Sequence, residues 1–141
     1  MQNNIKLDIK LDKVCKALDG AVENALEEAI SELESQTKKN TKVKTGKTKA
    51  SWQHKVDKRK CEAYVGSNYE NAIWEEFGTG IYAQNGNGRK DVPWIYQDEK
   101  GKWHRTSGKK PRKALQKAFN STKKAIQGFF EKRFKDLWLM Y

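Results

Sequence analysis

The residues of this sequence that could carry acid–base, nucleophilic or metal chemistry are few and badly placed for it. His54 and His104 are its two histidines, and neither stands beside a cysteine or an aspartate in a nucleophilic arrangement. Glu75 and Glu76 are adjacent, so a helix turns them to different faces and they do not form an acid/base pair. Glu62, Glu70, Asp91 and Asp98 lack the spacing of metal ligands. Cys15 and Cys61 are far apart with no CxxC, which signals neither a disulfide framework nor a zinc site; both read as buried small hydrophobes. Asn85-Gly86-Asn87-Gly88 has the glycines of a phosphate loop, but no strand leads in and no helix follows. We therefore expect a protein that is not an enzyme and needs no cofactor or metal.

The one chemistry that the composition favours is attraction to a polyanion. Net charge is +11 over 141 residues, and it is unevenly placed. Residues 41–60 carry 8 basic and 1 acidic side chain, and residues 101–141 carry 12 and 2, while 1–40 and 61–100 are net acidic. Such asymmetry points to an anionic neighbour, nucleic acid above all. The candidate contacts are Lys42, Lys44, Lys47 and Lys49 in the first basic run, and Lys109, Lys110, Arg112 and Lys113 in the second. Alternating lysines can track a phosphate backbone, but without interleaved aromatics the signal is weak.

These groups need a frame, and hydrophobic periodicity supplies one. Ile5, Leu7, Ile9 and Leu11 alternate with charges and predict a strand. Val14, Leu18, Val22, Leu26, Ile30 and Leu33 recur at three- or four-residue steps and predict a helix to about Gln36, opened by Asp12. Residues 37–49 read as a flexible basic loop. Ala50 to Val56 and Cys61 to Val65 predict a hairpin turning at Asp57 to Lys60. Tyr69 to Phe77 predicts a short helix capped by Ser67 or Asn68, with Tyr69, Ala72, Ile73 and Phe77 forming an apolar face that docks on a sheet. Gly78 stops that helix, and Thr79-Gly80 turns the chain where φ > 0 is cheap only for glycine.

Residues 81–92 read as a flexible Gly/Asn-rich loop. Trp94 to Tyr96 and Lys102 to Thr106 predict a second hairpin, with Trp94, Tyr96, Trp103 and Arg105 stacked across it. A long basic helix then starts near Pro111. The fold class that results is α+β: a small antiparallel or mixed sheet against long N- and C-terminal helices, with a short central helix, in a single domain. No apolar run is long enough for a membrane span, and the start lacks the pattern of a secretory signal, so we expect folding in a reducing cytoplasm. A mean hydropathy of −0.99 with five Trp, five Tyr and five Phe suggests burial completed against copies or partners.

The order of several short motifs resembles the head–tail joining, or tail-completion, proteins of long-tailed bacteriophages. They are Thr45-Gly46 with Ser51, Gly66-Ser67 with Tyr69, and Glu76-Phe77-Gly78-Thr79-Gly80. Trp94-Ile95-Tyr96, Gly101-Lys102-Trp103 and Thr106-Ser107-Gly108 follow. Where that family carries a leucine after Thr-Gly, this chain has Thr48. The resemblance, spanning about Thr45 to Phe119, implies a virion structural subunit at the head–tail junction, assembled in the host cytoplasm. It also implies a ring, of six copies, that joins other connector and tail proteins and surrounds the DNA passage, with the isolated chain free to stay monomeric. Glu76 to Gly80 with Trp94, Tyr96 and Trp103 would serve structure or interface. The alternative is a free-standing basic protein that binds nucleic acid without reading sequence.

Overall fold

The computed structural model describes residues 2–43 and 46–140, with side chains for 13–43 and 46–139. Lys44, one of the candidate contacts, lies outside the described residues, as do Thr45 and Tyr141.

Two long helices form the frame: α1 (Gln2–Asn40) and α4 (Ala114–Met140). Between them come a short helix α2 (Lys47–Ala50), strands β1 (Trp52–Asp57) and β2 (Glu62–Ser67), and helix α3 (Glu70–Phe77). A 3-10 turn (Gly80–Tyr82) and strands β3 (Trp94–Gln97) and β4 (Trp103–Thr106) complete the order. The architecture is α+β as expected, with the sheet divided into two separate antiparallel hairpins, β1-β2 and β3-β4.

The seam of the frame is made of small residues. Ala25, Ala29, Ile30 and Thr37 are buried on α1, and Ala114, Ala118 and Thr122, four residues apart, are buried on α4. Small side chains let two helices approach closely, and here they run antiparallel. Asn40 Nδ2 donates to the Ala114 carbonyl at 3.2 Å, and Arg133 pairs with Glu28 further along. Ala25, Ala29, Ile30, Trp52, Ala72, Ala114 and Ala118 are the buried apolar residues described, so most large apolar side chains lie nearer the surface. Gly128 interrupts α4 with open space where a Cβ would stand. Gly128→Ala is therefore expected to raise stability by about 1 kcal/mol, read as a higher urea midpoint; an unchanged or lower midpoint would contradict it.

The expected strand from Ile5 to Leu11 is instead the beginning of α1. Its alternating partners are lysine and aspartate rather than β-branched residues, and extending an existing helix adds a hydrogen bond per residue fixed. The same propagation carries α1 past Gln36 through Thr37–Asn40, and Lys47–Ala50 is helical too. Cys15 and Cys61 are exposed rather than buried. Cys61 occupies the β1–β2 turn with φ 52.

The first hairpin rides on α1. Its register pairs Trp52 with Ser67, His54 with Val65 and Val56 with Ala63 on the inner face. Trp52 is buried, and its indole N–H donates to Thr41 Oγ1 at 3.0 Å, just past the end of α1. His54 reaches α1 with both ring nitrogens, Nδ1 to Glu34 and Nε2 to Glu27 at 3.2 Å. Two carboxylates facing the two nitrogens suit the doubly protonated ring. The hydrogen bond with Glu34 is the chief cause that raises the His54 pKa above its usual 6.5. Burial works against the Glu34 carboxylate, but hydrogen bonds from Lys38 and His54 outweigh it and leave its pKa below the usual 4.5.

The sign follows. The His54 contribution is complete below about pH 6.5 and is lost as pH rises through its raised folded value; the Glu34 contribution is present above about pH 4.5 and is lost on acidification. Thermal stability should therefore fall as pH rises above about 6.5, and His54→Gln should flatten that limb. A wild-type profile unchanged by the substitution would overturn this assignment.

Candidate functional site

The corner after α3 is the most tightly constructed part of the molecule. Gly78 (φ 77), Gly80 (φ 61) and Gly108 (φ 128) all have left-handed backbone, which side chains with a Cβ adopt at a cost. Here two chain segments cross at contact distance. A Cβ on Gly80 would lie 2.1 Å from the Ser107 carbonyl oxygen, and one on Gly108 would lie 2.1 Å from that of Thr79. Gly78 is closed in by the Tyr82 and Lys109 carbonyls, and Gly88 by the Gly80 carbonyl at 2.1 Å and Ala83. The crossing is laced by backbone bonds: Thr79 N–H to Lys109 O at 2.9 Å and Ile81 N–H to Ser107 O at 3.2 Å. Lys109 N–H donates to Thr79 Oγ1 at 2.8 Å.

Glu76 does the least expected work. Its side chain is buried, and its two oxygens accept the backbone N–H groups of Leu115 and Gln116, each at 2.9 Å. Those are donors in the first turn of α4, which have no partner inside the helix. A carboxylate there also meets the positive end of the helix dipole. Glu76 thus caps a helix nearly forty residues further along. The helix starts at Ala114 rather than near Pro111 because the preceding residues are used otherwise. Arg112 N–H donates to the Glu75 carbonyl at 2.6 Å, and Lys113 takes a left-handed φ of 56.

With Glu76 turned inward, α3 docks differently from the expectation. Ala72 and Glu76 face inward, whereas Ile73 (47%), Trp74 (47%) and Phe77 (48%) stay half-exposed. Its N-cap is Tyr69, with no side-chain cap. Ser67 Oγ instead accepts the Tyr69 N–H at 3.1 Å and donates to Ser51 Oγ at 2.7 Å, and Ser51 donates to the Thr48 carbonyl at 2.7 Å. Ser51, Ser67 and Tyr69, from two of the resembling motifs, form one hydrogen-bonded chain.

The second hairpin has a different face pattern from the one expected. Its register sets Tyr96 against His104 and Trp94 against Thr106, with Trp103 against Gln97 and Arg105 against Ile95. Directly opposed residues share a face, so Trp94 and Tyr96 lie on one side and Trp103 and Arg105 on the other. Tyr96 stacks on His104 with ring centroids 5.2 Å apart. Arg89 lies over Trp94 at 5.2 Å, while Trp103 is 66% exposed. His104 Nε2 bonds Asp98 at 2.7 Å and is the chief cause that holds the Asp98 pKa below the ordinary carboxylate value.

Asn71 bridges the two segments that carry the basic runs. Asn71 Nδ2 donates to Thr48 Oγ1 at 2.8 Å, and its Oδ1 accepts from Lys109 Nζ at 2.8 Å. Thr48 is buried, so the residue standing in place of leucine ties α2 to α3 by a hydrogen bond. Lys47 pairs with Glu99 at 2.7 Å, Lys109 also approaches Glu75 at 3.8 Å, and Lys110 lies over the Tyr82 ring at 5.6 Å. Lys42, Lys49 and Arg112 are exposed and Lys113 is half-exposed. Asn71 was legible as part of α3, but nothing local marks it as the bridge. Gly88 and Gly108 were equally silent as packing residues, because their neighbours are remote in sequence.

Chemically, the arrangement offers backbone geometry and positive charge. Among the described residues no group of His, Cys, Asp or Glu side chains could hold a metal. The cleft lined by Gln53, His54, Lys55 and Tyr64 is shallow and open, about 230 Å³. No described helix is long and apolar enough to cross a membrane.

No curated protein and no solved structure matches the chain. A family model described as "Bacteriophage HK97-gp10, putative tail-component" matches residues 5–78, just over half of the sequence, from α1 through α3 to Gly78. The chain belongs to this HK97 gp10-like family of bacteriophage tail components.

Proposed function

We propose that this protein is a tail-completion subunit: one copy in a ring, of six, that joins the phage tail to the capsid portal and surrounds the passing DNA. Family membership supports a virion structural role. The observation that carries the finer reading is the meeting of two basic runs, about sixty residues apart in sequence, through Thr48, Asn71 and Lys109. Six copies at +11 each would carry roughly 66 positive charges, which neutralise a DNA backbone without reading its sequence. Lys42, Lys49, Lys110, Arg112 and Lys113 would face the DNA or an anionic partner. Trp94, Tyr96, Trp103 and the Glu76–Gly80 corner hold the framework around them.

Molar mass by light scattering, across concentration and salt, with and without the matching tail tube and portal, tests this reading. A hexamer-sized species, alone or only on a partner, supports it. A monomer that ignores both partners yet binds DNA with a steep salt dependence would favour a free-standing nucleic-acid-binding protein instead.

A further inference from the structure

Two exposed apolar stripes lie near opposite ends of α4. The first is on α3, where Ile73 and Trp74 are each 47% exposed and stand three and four residues after Glu70, on one helical face with it. The second is at the end of α4, where Trp138 (84%) and Leu139 (75%) stand three and four residues after Lys135. Glu70 and Lys135 are both exposed, and neither has an ion-pair partner among the described residues. The stripes therefore match in spacing and oppose in charge. They cannot meet within one chain. Glu76 holds α3 at the first turn of α4, and Trp138 lies 24 residues beyond Ala114, about 36 Å along the helix.

From this complementarity we infer that Trp138 and Leu139 of one copy pack on Ile73 and Trp74 of a second copy, with Lys135 paired to Glu70 across the contact. The inference rests on the ring reading above and names the contact that would build the ring. Unlike surfaces meet, so the contact is head-to-tail: it repeats from copy to copy and closes into a ring when the rotation allows. Charged flanks fix the register and speed encounter, while the indoles supply the buried area.

Disulfide trapping in the full-length chain tests it, with Cys15→Ala and Cys61→Ser removing the native thiols. Ile73→Cys and Leu139→Cys chains, mixed and mildly oxidised, should form a mixed dimer at least about fivefold faster than either does with an exposed Lys60→Cys control. A chain carrying both substitutions should form a ladder of covalent multimers. Circular dichroism of each variant confirms the fold. Mixed trapping no faster than the control, or dominated by same-site dimers, overturns the inference. Failure here with a hexamer still found on the portal or tail would leave the ring reading standing. Trapping without any binding to portal or tail would do the reverse.

Discussion

Gly80→Ala is expected to lower folding stability by about 3–5 kcal/mol, enough to leave much of the protein unfolded at moderate temperature. Two costs add. An alanine at φ 61 carries a left-handed penalty of about 1–2 kcal/mol. Its Cβ would also stand 2.1 Å from the Ser107 carbonyl oxygen and 2.9 Å from Gly108 Cα, and since these are backbone atoms the segments must separate. Separation stretches the Thr79–Lys109 and Ile81–Ser107 hydrogen bonds, so the damage is shared across the crossing. Gly86 gives the matched control: its φ is 67, yet nothing lies within 4 Å of its would-be Cβ. Gly86→Ala should cost only about 1–2 kcal/mol. Urea denaturation of both variants reads the difference directly. Equal midpoints would mean that strain in φ, and not the close crossing, accounts for the glycine at position 80.

Glu76→Ala is expected to cost about 3 kcal/mol, because it strands two helix donors that the carboxylate now satisfies. Glu76→Gln separates geometry from charge. The amide still offers one acceptor oxygen, so the loss should be roughly half as large, and what remains reflects the missing negative charge at the helix start. Hydrogen exchange at Leu115 and Gln116 supplies the local readout. Those two amides should lose protection in the alanine variant, well beyond the change at Thr122. A Glu76→Ala protein within about 0.5 kcal/mol of wild type, with those amides still protected, would remove the cap from the explanation of this corner.

What the sequence made legible was local. The helix that became α1, the first hairpin and the existence of α3 follow from periodicity and turn residues, and the structure agrees on each. Periodicity says that one side of a segment is apolar but not which neighbour takes it. Ile73 and Phe77 looked like docking residues, yet the charged Glu76 is buried beside Ala72 in their stead, since two remote N–H groups stabilise it there. Pro111 is a good first-turn residue, but the Arg112 N–H is bonded to the Glu75 carbonyl and Lys113 takes a left-handed φ, so α4 starts three residues later. Gly88 read as a loop glycine because the oxygen that confines it belongs to Gly80. The alternation at Ile5 to Leu11 fitted a strand until the helix behind it was considered. The missed features share a cause: their partners are distant in the chain. That Asn71 joins the segments of the two basic runs was likewise not legible, because Thr48 and Lys109 are remote from it in the chain.

The remote cap has a compositional consequence. A helix that caps itself reserves the position before its first turn for Ser, Thr, Asp or Asn, and it favours acids nearby. By lodging the capping acid on α3, this chain releases residues 109–113 from that duty. The run Lys109-Lys110-Pro111-Arg112-Lys113 can then vary or accumulate charge with little harm to α4, as long as Glu76 stays where it is. One carboxylate on α3, within the residues that the family model matches, thus frees the basic run before α4 from serving as its cap.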